Sequence, residues 1–285
     1  MQNLLVSPAR LQQLLRSQTK AAVLDSTWFM PNSPRIAKAE FKAKRIPGSK
    51  FLDLDEVASP HDLGLKHMMP SQQVFSSPRA LFMFKSFGHQ NASILDGGLP
   101  RWEAEGYPMD INASVPTASQ STDKYPVPTL DANTIRSYEQ MVFNSTLLPL
   151  KTAGAELVVD ARSRGRFLGT DPEPRPGLPS GHIPNSLSLP FNVFLQNNVA
   201  PNGSSYATFL TEAKLRAAVV DAVGVEKANA VFNGELSVIA SCGSGMTAAI
   251  LWLGLQLMGV KKVSIYDESW TGYSLRPSSK VETCM

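Results

Sequence analysis

Short apolar runs alternate with longer segments of helical period over the second half of the chain. Residues 157–160 (LVVD), 186–189, 236–241 (LSVIAS) and 263–266 (VSIY) are continuous apolar stretches of strand length. Residues 131–142, 212–223 and 246–258 carry apolar positions at helical spacing. Strands that are apolar on both faces and take turns with helices predict an α/β unit, a parallel sheet flanked by helices. Between the two halves, residues 113–128 (ASVPTASQSTDKYPVP) are rich in Ser, Thr and Pro and follow neither period, which predicts a linker.

The first half repeats the second in weaker form. Ala22-Val23-Leu24-Asp25 answers Val158-Val159-Asp160-Ala161, and Arg45-Ile46-Pro47-Gly48-Ser49 answers His182-Ile183-Pro184-Asn185-Ser186. The stretch from Ala80 through Gly88 to Asp96 answers the one from Ala249 through Gly259 to Asp267, a helix, a glycine stop and a strand. Self-similarity in one order predicts an internal duplication, with boundaries at 1–112, 113–128 and 129–285. The copies differ in length: Ile183 to Gly259 spans 76 residues and Ile46 to Gly88 only 42. Counted back from the glycine stop, Lys66-His67-Met68-Met69-Pro70 falls opposite the strand that precedes Cys242, and it has no strand character. The first copy is therefore expected to lack a helix and a central strand, about one βαβ unit, after Pro70.

Composition narrows the chemistry. The 285 residues are 43% hydrophobic and 18% charged, enough apolar material for packed cores, with a net charge of +3 that gives no argument for direct binding of nucleic acid. No apolar run is long enough to span a bilayer. The charge is uneven: residues 1–50 hold nine Lys or Arg against Asp25 and Glu40. Two readings of the N-terminus stay open, an amphipathic basic segment like a mitochondrial address and a surface helix capped by Ser7 with Pro8 in its first position. Two cysteines, Cys242 and Cys284, make no disulfide framework. The four histidines are scattered without zinc spacing, so neither metal nor organic cofactor is expected.

The strongest chemical signal follows the run Leu236 to Ser241. It ends in Cys242-Gly243-Ser244-Gly245-Met246-Thr247 and then an apolar helix. Parallel sheets place ligands at the carboxyl ends of their strands, and a helix N-terminus offers free N–H groups to an anion. A cysteine in that position is expected to be a nucleophile with a stabilised thiolate. Gly243 and Gly245 permit a cradle of inward-turned amides, and Thr247 is placed to cap the helix or bond the sulfur. A phosphatase loop would need an arginine where Ala248 stands.

These residues carry a resemblance. Cys242 to Ala248 followed by Tyr266-Asp267-Glu268-Ser269-Trp270 resembles the active-site half of the rhodanese superfamily, in particular the 3-mercaptopyruvate sulfurtransferases. Val159 to Phe167, Pro172-Glu173-Pro174-Arg175 and Gly181-His182-Ile183-Pro184 resemble the same family's substrate-binding stretch. Asp25 to Trp28, Phe51 to Asp55, His67 to Pro70, Phe75 to Arg79 and Leu95 through Trp102 are similar to its non-catalytic domain. The resemblance covers nearly the whole chain and implies two tandem rhodanese-like domains, the catalytic site lying in the second and facing the first. It implies that Arg166 and Arg175 bind a carboxylate, that the loop from Gly243 to Thr247 with Met246 holds substrate, and that Ser244, His67 and Asp55 form a proton relay. Thiosulfate sulfurtransferases resemble Cys-Arg-Lys-Gly-Val-Thr at the loop. Gly243 and Ser244 here remove two cations suited to a dianionic donor.

The implied activity is transfer of sulfane sulfur from 3-mercaptopyruvate through a Cys242 persulfide to cyanide, thioredoxin or another protein thiol. The resemblance also implies a place in sulfur relay to tRNA thiolation, in mitochondrion or cytoplasm. Two alternatives stay open: a thiosulfate:cyanide sulfurtransferase, and a catalytically impaired sulfur-relay or docking protein left by the shortened first copy. Trp270 is expected at the pocket mouth or in the core, His61, His89 and His182 as structural residues, and Cys284 as a tail thiol.

Overall fold

A computed structural model of the chain describes residues 3–17, 21–29, 33–65, 68, 77–112 and 128–283. It divides into two compact units. The first comprises Met1–Val57, Pro70–Leu130 and Asn197–Thr208, the second Ala58–Met69, Asp131–Gln196 and Phe209–Met285. The units interleave along the chain, and most of the expected linker, 113–127, lies outside the described residues.

The first unit contains β1 (Leu5–Val6), α1 (Pro8–Arg16), β2 (Leu24–Asp25), α2 (Ala37–Ala43), β3 (Lys50–Phe51), α3 (Leu54–Val57), α4 (Ser77–Ser86), β4 (Ile94–Leu95) and α5 (Gly98–Ala104). Helix α1 starts where its sequence says, with Pro8 in the first turn and the Arg10 amide donating to Ser7 Oγ at 3.2 Å. Its Leu11 is buried with Ile46 and Trp102 in the unit's core, so this basic segment packs as part of the fold. Trp102 donates from Nε1 to the Pro108 carbonyl at 2.8 Å.

The second unit contains β5 (Ile135–Arg136), α6 (Tyr138–Asn144), β6 (Leu157–Asp160), α7 (Arg164–Leu168), β7 (Leu187–Ser188), α8 (Glu212–Val223), α9 (Val225–Phe232), β10 (Val238–Ser241), α10 (Ala248–Leu257), β11 (Val263–Tyr266) and α11 (Ser269–Ser274), while most of β8 (Leu195–Val199) and β9 (Ser205–Phe209) belongs to the first. Five of its strands form one sheet in the order β5-β11-β10-β6-β7, with every pair parallel. Every residue of β6, β10 and β11 is buried, which explains why these strands read as unbroken apolar runs. Burying a side chain such as Ile239 contributes about 1.5–3 kcal/mol.

Strand pairing in the first unit shows what its shorter sequence removes. β1 pairs parallel with β4 and β2 parallel with β3, as two separate two-stranded sheets. Among the described residues, this is the order of the five-stranded sheet without a strand corresponding to β10 between the pairs. A cavity of about 870 Å³ is lined from both pairs, by Val6, Ile94 and Leu95 on one side and Leu24 and Asp25 on the other, with Leu81 of α4. The helix stops remain alike in the two units. Gly88 and Gly259 both sit at φ +81°, and the following amides of His89 and Val260 reach back five residues to the carbonyls of Phe84 and Leu255 at 2.8 and 3.0 Å. Both are left-handed glycine terminations of the same kind.

Sequence reading placed one helix over 131–142, and the structure divides it. A 3-10 turn at Ala132–Thr134 leads into β5, and α6 begins only after Ser137. Ser137 and Gln140 form a reciprocal capping box, a Ser-x-x-Gln signal visible in the sequence that marks the true helix start. The predicted strand over 236–241 begins at Val238, that over 186–189 narrows to Leu187–Ser188, and the predicted helix over 246–258 begins at Ala248. Strands β8 and β9 and helix α9 were not expected.

The divided sheet leads to a prediction. Two-stranded sheets of two residues each give little protection from local opening. Amides at Leu24 and Leu95 are expected to exchange with deuterium well before those at Val159, Ile239 and Ile265. Equal protection in the two units would contradict the structural difference described.

Candidate active site

Strand β10 delivers Cys242 to the carboxyl edge of the sheet, in the middle of five strands. The loop from Cys242 to Thr247 joins it to α10, and Gly245 takes φ +79°, a left-handed conformation that glycine adopts without cost. Cys242 is only 1% exposed. Among the described residues, the amides of Gly243, Ser244, Met246 and Thr247 donate to no acceptor. This leaves a run of N–H groups in the loop that follows the thiol, at the start of a helix, an arrangement that favours an anion.

The first turn of α11 holds this loop in place. The Trp270 amide donates to the Cys242 carbonyl at 2.9 Å, and the Thr271 amide and hydroxyl donate to the Gly243 carbonyl at 3.0 and 2.6 Å. Ser269 has no counterpart in the candidate set read from the sequence. Its Oγ accepts from the amides of Cys242 at 3.2 Å and Gly245 at 3.0 Å, donates to the Tyr266 carbonyl at 2.8 Å, and lies 3.9 Å from the Cys242 sulfur. Its φ of +51° is unusual for a residue with a side chain, and the three bonds hold it there. Thr247, expected to cap α10 or bond the sulfur, stands at the N-cap with no side-chain capping bond. The hydroxyl near the sulfur is that of Ser269. Sequence spacing could not reveal this, because Ser269 lies 27 residues beyond Cys242 and meets it only across neighbouring strand ends.

Two arginines converge on the loop. A methyl group placed on Gly243 would lie 3.3 Å from Arg166 Nη2 and 3.9 Å from Arg175 Nη1. Arg175 also donates to Ser244 Oγ at 3.3 Å and to Thr271 Oγ1 at 3.2 Å. Arg166 is held by Glu173, donating from Nε to one carboxylate oxygen at 3.0 Å and from Nη2 to the other at 2.5 Å. Behind this pair, Arg162 donates to Glu173 at 2.7 Å and to Asp160 at 2.7 to 3.1 Å, with its other contact the Gly181 carbonyl at 2.7 Å. Burial disfavours the Arg162 cation, but Asp160 and Glu173 more than offset this and hold its pKa above the ordinary arginine value. The partner of Glu173 is therefore Arg166, with Arg162, and not the sequence neighbour Arg175.

Trp270 belongs to the core. It is fully buried, stacks against Tyr273, lies under the Arg162 guanidinium at 4.3 Å and donates from Nε1 to the Pro179 carbonyl at 2.9 Å. His182 is structural, stacked on Phe167 with Nδ1 2.9 Å from the Phe167 carbonyl. His61 stands 3.8 Å from Glu268. Asp55 lies in α3 of the first unit, where it accepts from Trp28 Nε1 at 3.3 Å. His67 and Cys284 lie outside the described residues. No cluster of three or more potential metal ligands occurs among the described residues.

Residues 145–276 match the rhodanese-like domain model. A probable 3-mercaptopyruvate sulfurtransferase of Schizosaccharomyces pombe is 31% identical over 93% of this chain and 90% of its own length. The chain belongs to the rhodanese sulfurtransferase family. An Arabidopsis thaliana mitochondrial thiosulfate/3-mercaptopyruvate sulfurtransferase is 33% identical, over 92% of this chain and 73% of the plant protein. Among solved structures, the sulfur transferase subunit found sub-stoichiometrically with yeast mitochondrial complex I superposes with a TM-score of 0.76 at 28% identity, covering 98% and 99% of the two chains. The chain is thus a sulfurtransferase enzyme of α/β fold, with a central parallel sheet flanked by helices.

Ser269 offers a test of how the rhodanese loop is held. Replacing Ser269 with Ala leaves the Cys242 and Gly245 amides without their acceptor, a loss of about 1–3 kcal/mol for buried polar groups. The expected outcome is a lower melting temperature together with slower sulfur transfer. Unchanged turnover in a well-folded variant would show that the loop does not rely on this hydroxyl.

Proposed function

We propose that the enzyme moves sulfane sulfur from 3-mercaptopyruvate through a persulfide on Cys242 to a thiol acceptor. The observation that carries this reading is the pairing of one cysteine, followed by a loop of unused amides, with two guanidinium groups at Gly243. A keto acid presents a carboxylate and a carbonyl oxygen, which Arg166 and Arg175 match as planar donors. Gly243 and Ser244 bring no cation of their own for a dianion.

In the first step the Cys242 thiolate attacks the donor sulfur. An S–S bond forms, the C–S bond breaks, and its electron pair leaves on the carbon as the enolate of pyruvate, which then takes a proton. The amides of Gly243, Ser244, Met246 and Thr247 stabilise the sulfur anion of the persulfide. Ser244, bonded to Arg175, is the hydroxyl at the site suited to passing the proton. The parts of His67 and Asp55 in that relay rest on the family resemblance. In the second step an acceptor thiolate attacks the outer sulfur and restores the Cys242 thiolate. Thioredoxin or another protein thiol is the expected acceptor.

The tandem domain arrangement, with 129–285 as the catalytic domain, belongs to the same proposal, as does a mitochondrial or cytoplasmic place. A mitochondrial relative and a mitochondrial structural neighbour support the former. A role in sulfur relay to tRNA thiolation extends it.

Incubation with 3-mercaptopyruvate and intact-mass measurement is expected to add the mass of one sulfur atom to the wild-type chain and none to the Cys242→Ser variant. In cyanolysis the wild type is expected to turn over 3-mercaptopyruvate faster than thiosulfate. The reverse order would assign thiosulfate as the donor, and sulfur loading with negligible turnover of either would make the chain a sulfur carrier.

A further inference from the structure

We infer that Glu173 is a specificity-determining residue, which sets the charge of the donor pocket to suit a monoanion. The inference rests on the donor reading above. Four charged side chains form one connected network at the cysteine loop, Arg162 with Asp160 and Glu173 and Arg166 with Glu173, and Arg175 stands beside the same glycine as Arg166. Three guanidinium groups against two carboxylates leave a single net positive charge. The side chains of Glu173 and Arg162 are 3% and 1% exposed, so water screens their interaction weakly, while Arg166 remains 21% exposed on the pocket side.

The position of Glu173 gives it two effects at once. Its carboxylate takes Nε and one hydrogen of Nη2 of Arg166 in a fork, which fixes the plane of that guanidinium and leaves its Nη edge toward Gly243. Its charge cancels one cation directly behind the donor position. With the attacking Cys242 thiolate counted, these groups sum to zero, so a carboxylate of charge minus one leaves one negative charge over, whereas thiosulfate leaves two with no further cation to answer the second. The preference is set by this buried anion as well as by the uncharged residues Gly243 and Ser244 in the loop. Glu173 acts through Arg166 and touches no reacting atom, so it is a positioning residue.

The test compares kcat/KM for 3-mercaptopyruvate and thiosulfate in wild type, Glu173→Gln and Glu173→Asp. Glu173→Gln removes the charge while keeping the shape. The ratio of the two donors is expected to move toward thiosulfate by at least about tenfold, the order expected when a unit charge is changed a few ångströms from another. Glu173→Asp keeps the charge and is expected to keep a ratio near that of wild type while raising KM for both donors. A merely structural role would lower both donors by the same factor in Glu173→Gln, and that result would overturn the inference. Wild-type inhibition gives a second measurement that depends on no variant: pyruvate is expected to compete with 3-mercaptopyruvate more strongly than sulfate does, and stronger inhibition by the dianion would equally overturn it. A wild type that prefers thiosulfate would sink the donor assignment alone, because the direction of the change on removing Glu173 is read independently of the starting ratio.

Discussion

A parallel sheet depends on its middle strand, and in this protein the same strand leads into the Cys242 loop. β10 is bonded to β11 on one side and β6 on the other, and every one of its residues is buried. It ends in Cys242, so the element that closes the core also places the thiol at the carboxyl edge of the sheet, where loop and helix N-terminus converge. Among the described residues the first unit's strands pair two by two, and a cavity opens among them. No described strand joins the two pairs, so the first unit shows no continuous sheet edge from which a loop of this kind projects.

The site combines two kinds of electrostatic support that act at different ranges. Around the sulfur, unused backbone amides and the α11 turn give fixed partial charges that need no reorganisation when an anion forms. Farther out, full charges are arranged as a buried chain from Asp160 through Arg162 and Glu173 to Arg166. Removing one member of such a chain leaves an uncompensated charge in a poorly screened place, which is why buried pairs are costly to break even when they add little net stability. The chain also links the end of β6, through Asp160, to Arg166 beside the Cys242 loop, so the sheet and that arginine share one hydrogen-bonded network.

Much of this was legible in the order of residues. The runs at 157–160 and 263–266 read as strands because burial on both faces demands unbroken apolar sequence, and Cys242 with its glycines stood out because a strand, a loop and a helix start are each local patterns. The capping box at Ser137 and Gln140 was equally local, and the helical period that ran through it obscured the two-residue strand Ile135–Arg136. The expectation of a shortened first copy comes from length alone, since two repeats of unequal span cannot hold the same elements.

What spacing could not show were contacts made between distant strand ends. Ser269 reaches the Cys242 loop across 27 residues, and Glu173 chooses Arg166 and Arg162 over the nearer Arg175. The α/β class and the nucleophile candidate follow from local pattern, and the expectation of a duplication with a shortened first copy from pattern and count. The folded structure alone shows which hydroxyl lies beside the sulfur, which carboxylate neutralises which guanidinium, and that Trp270 belongs to the core. Those outcomes depend on how parallel strands bring their carboxyl ends side by side, and sequence separation carries no record of that proximity.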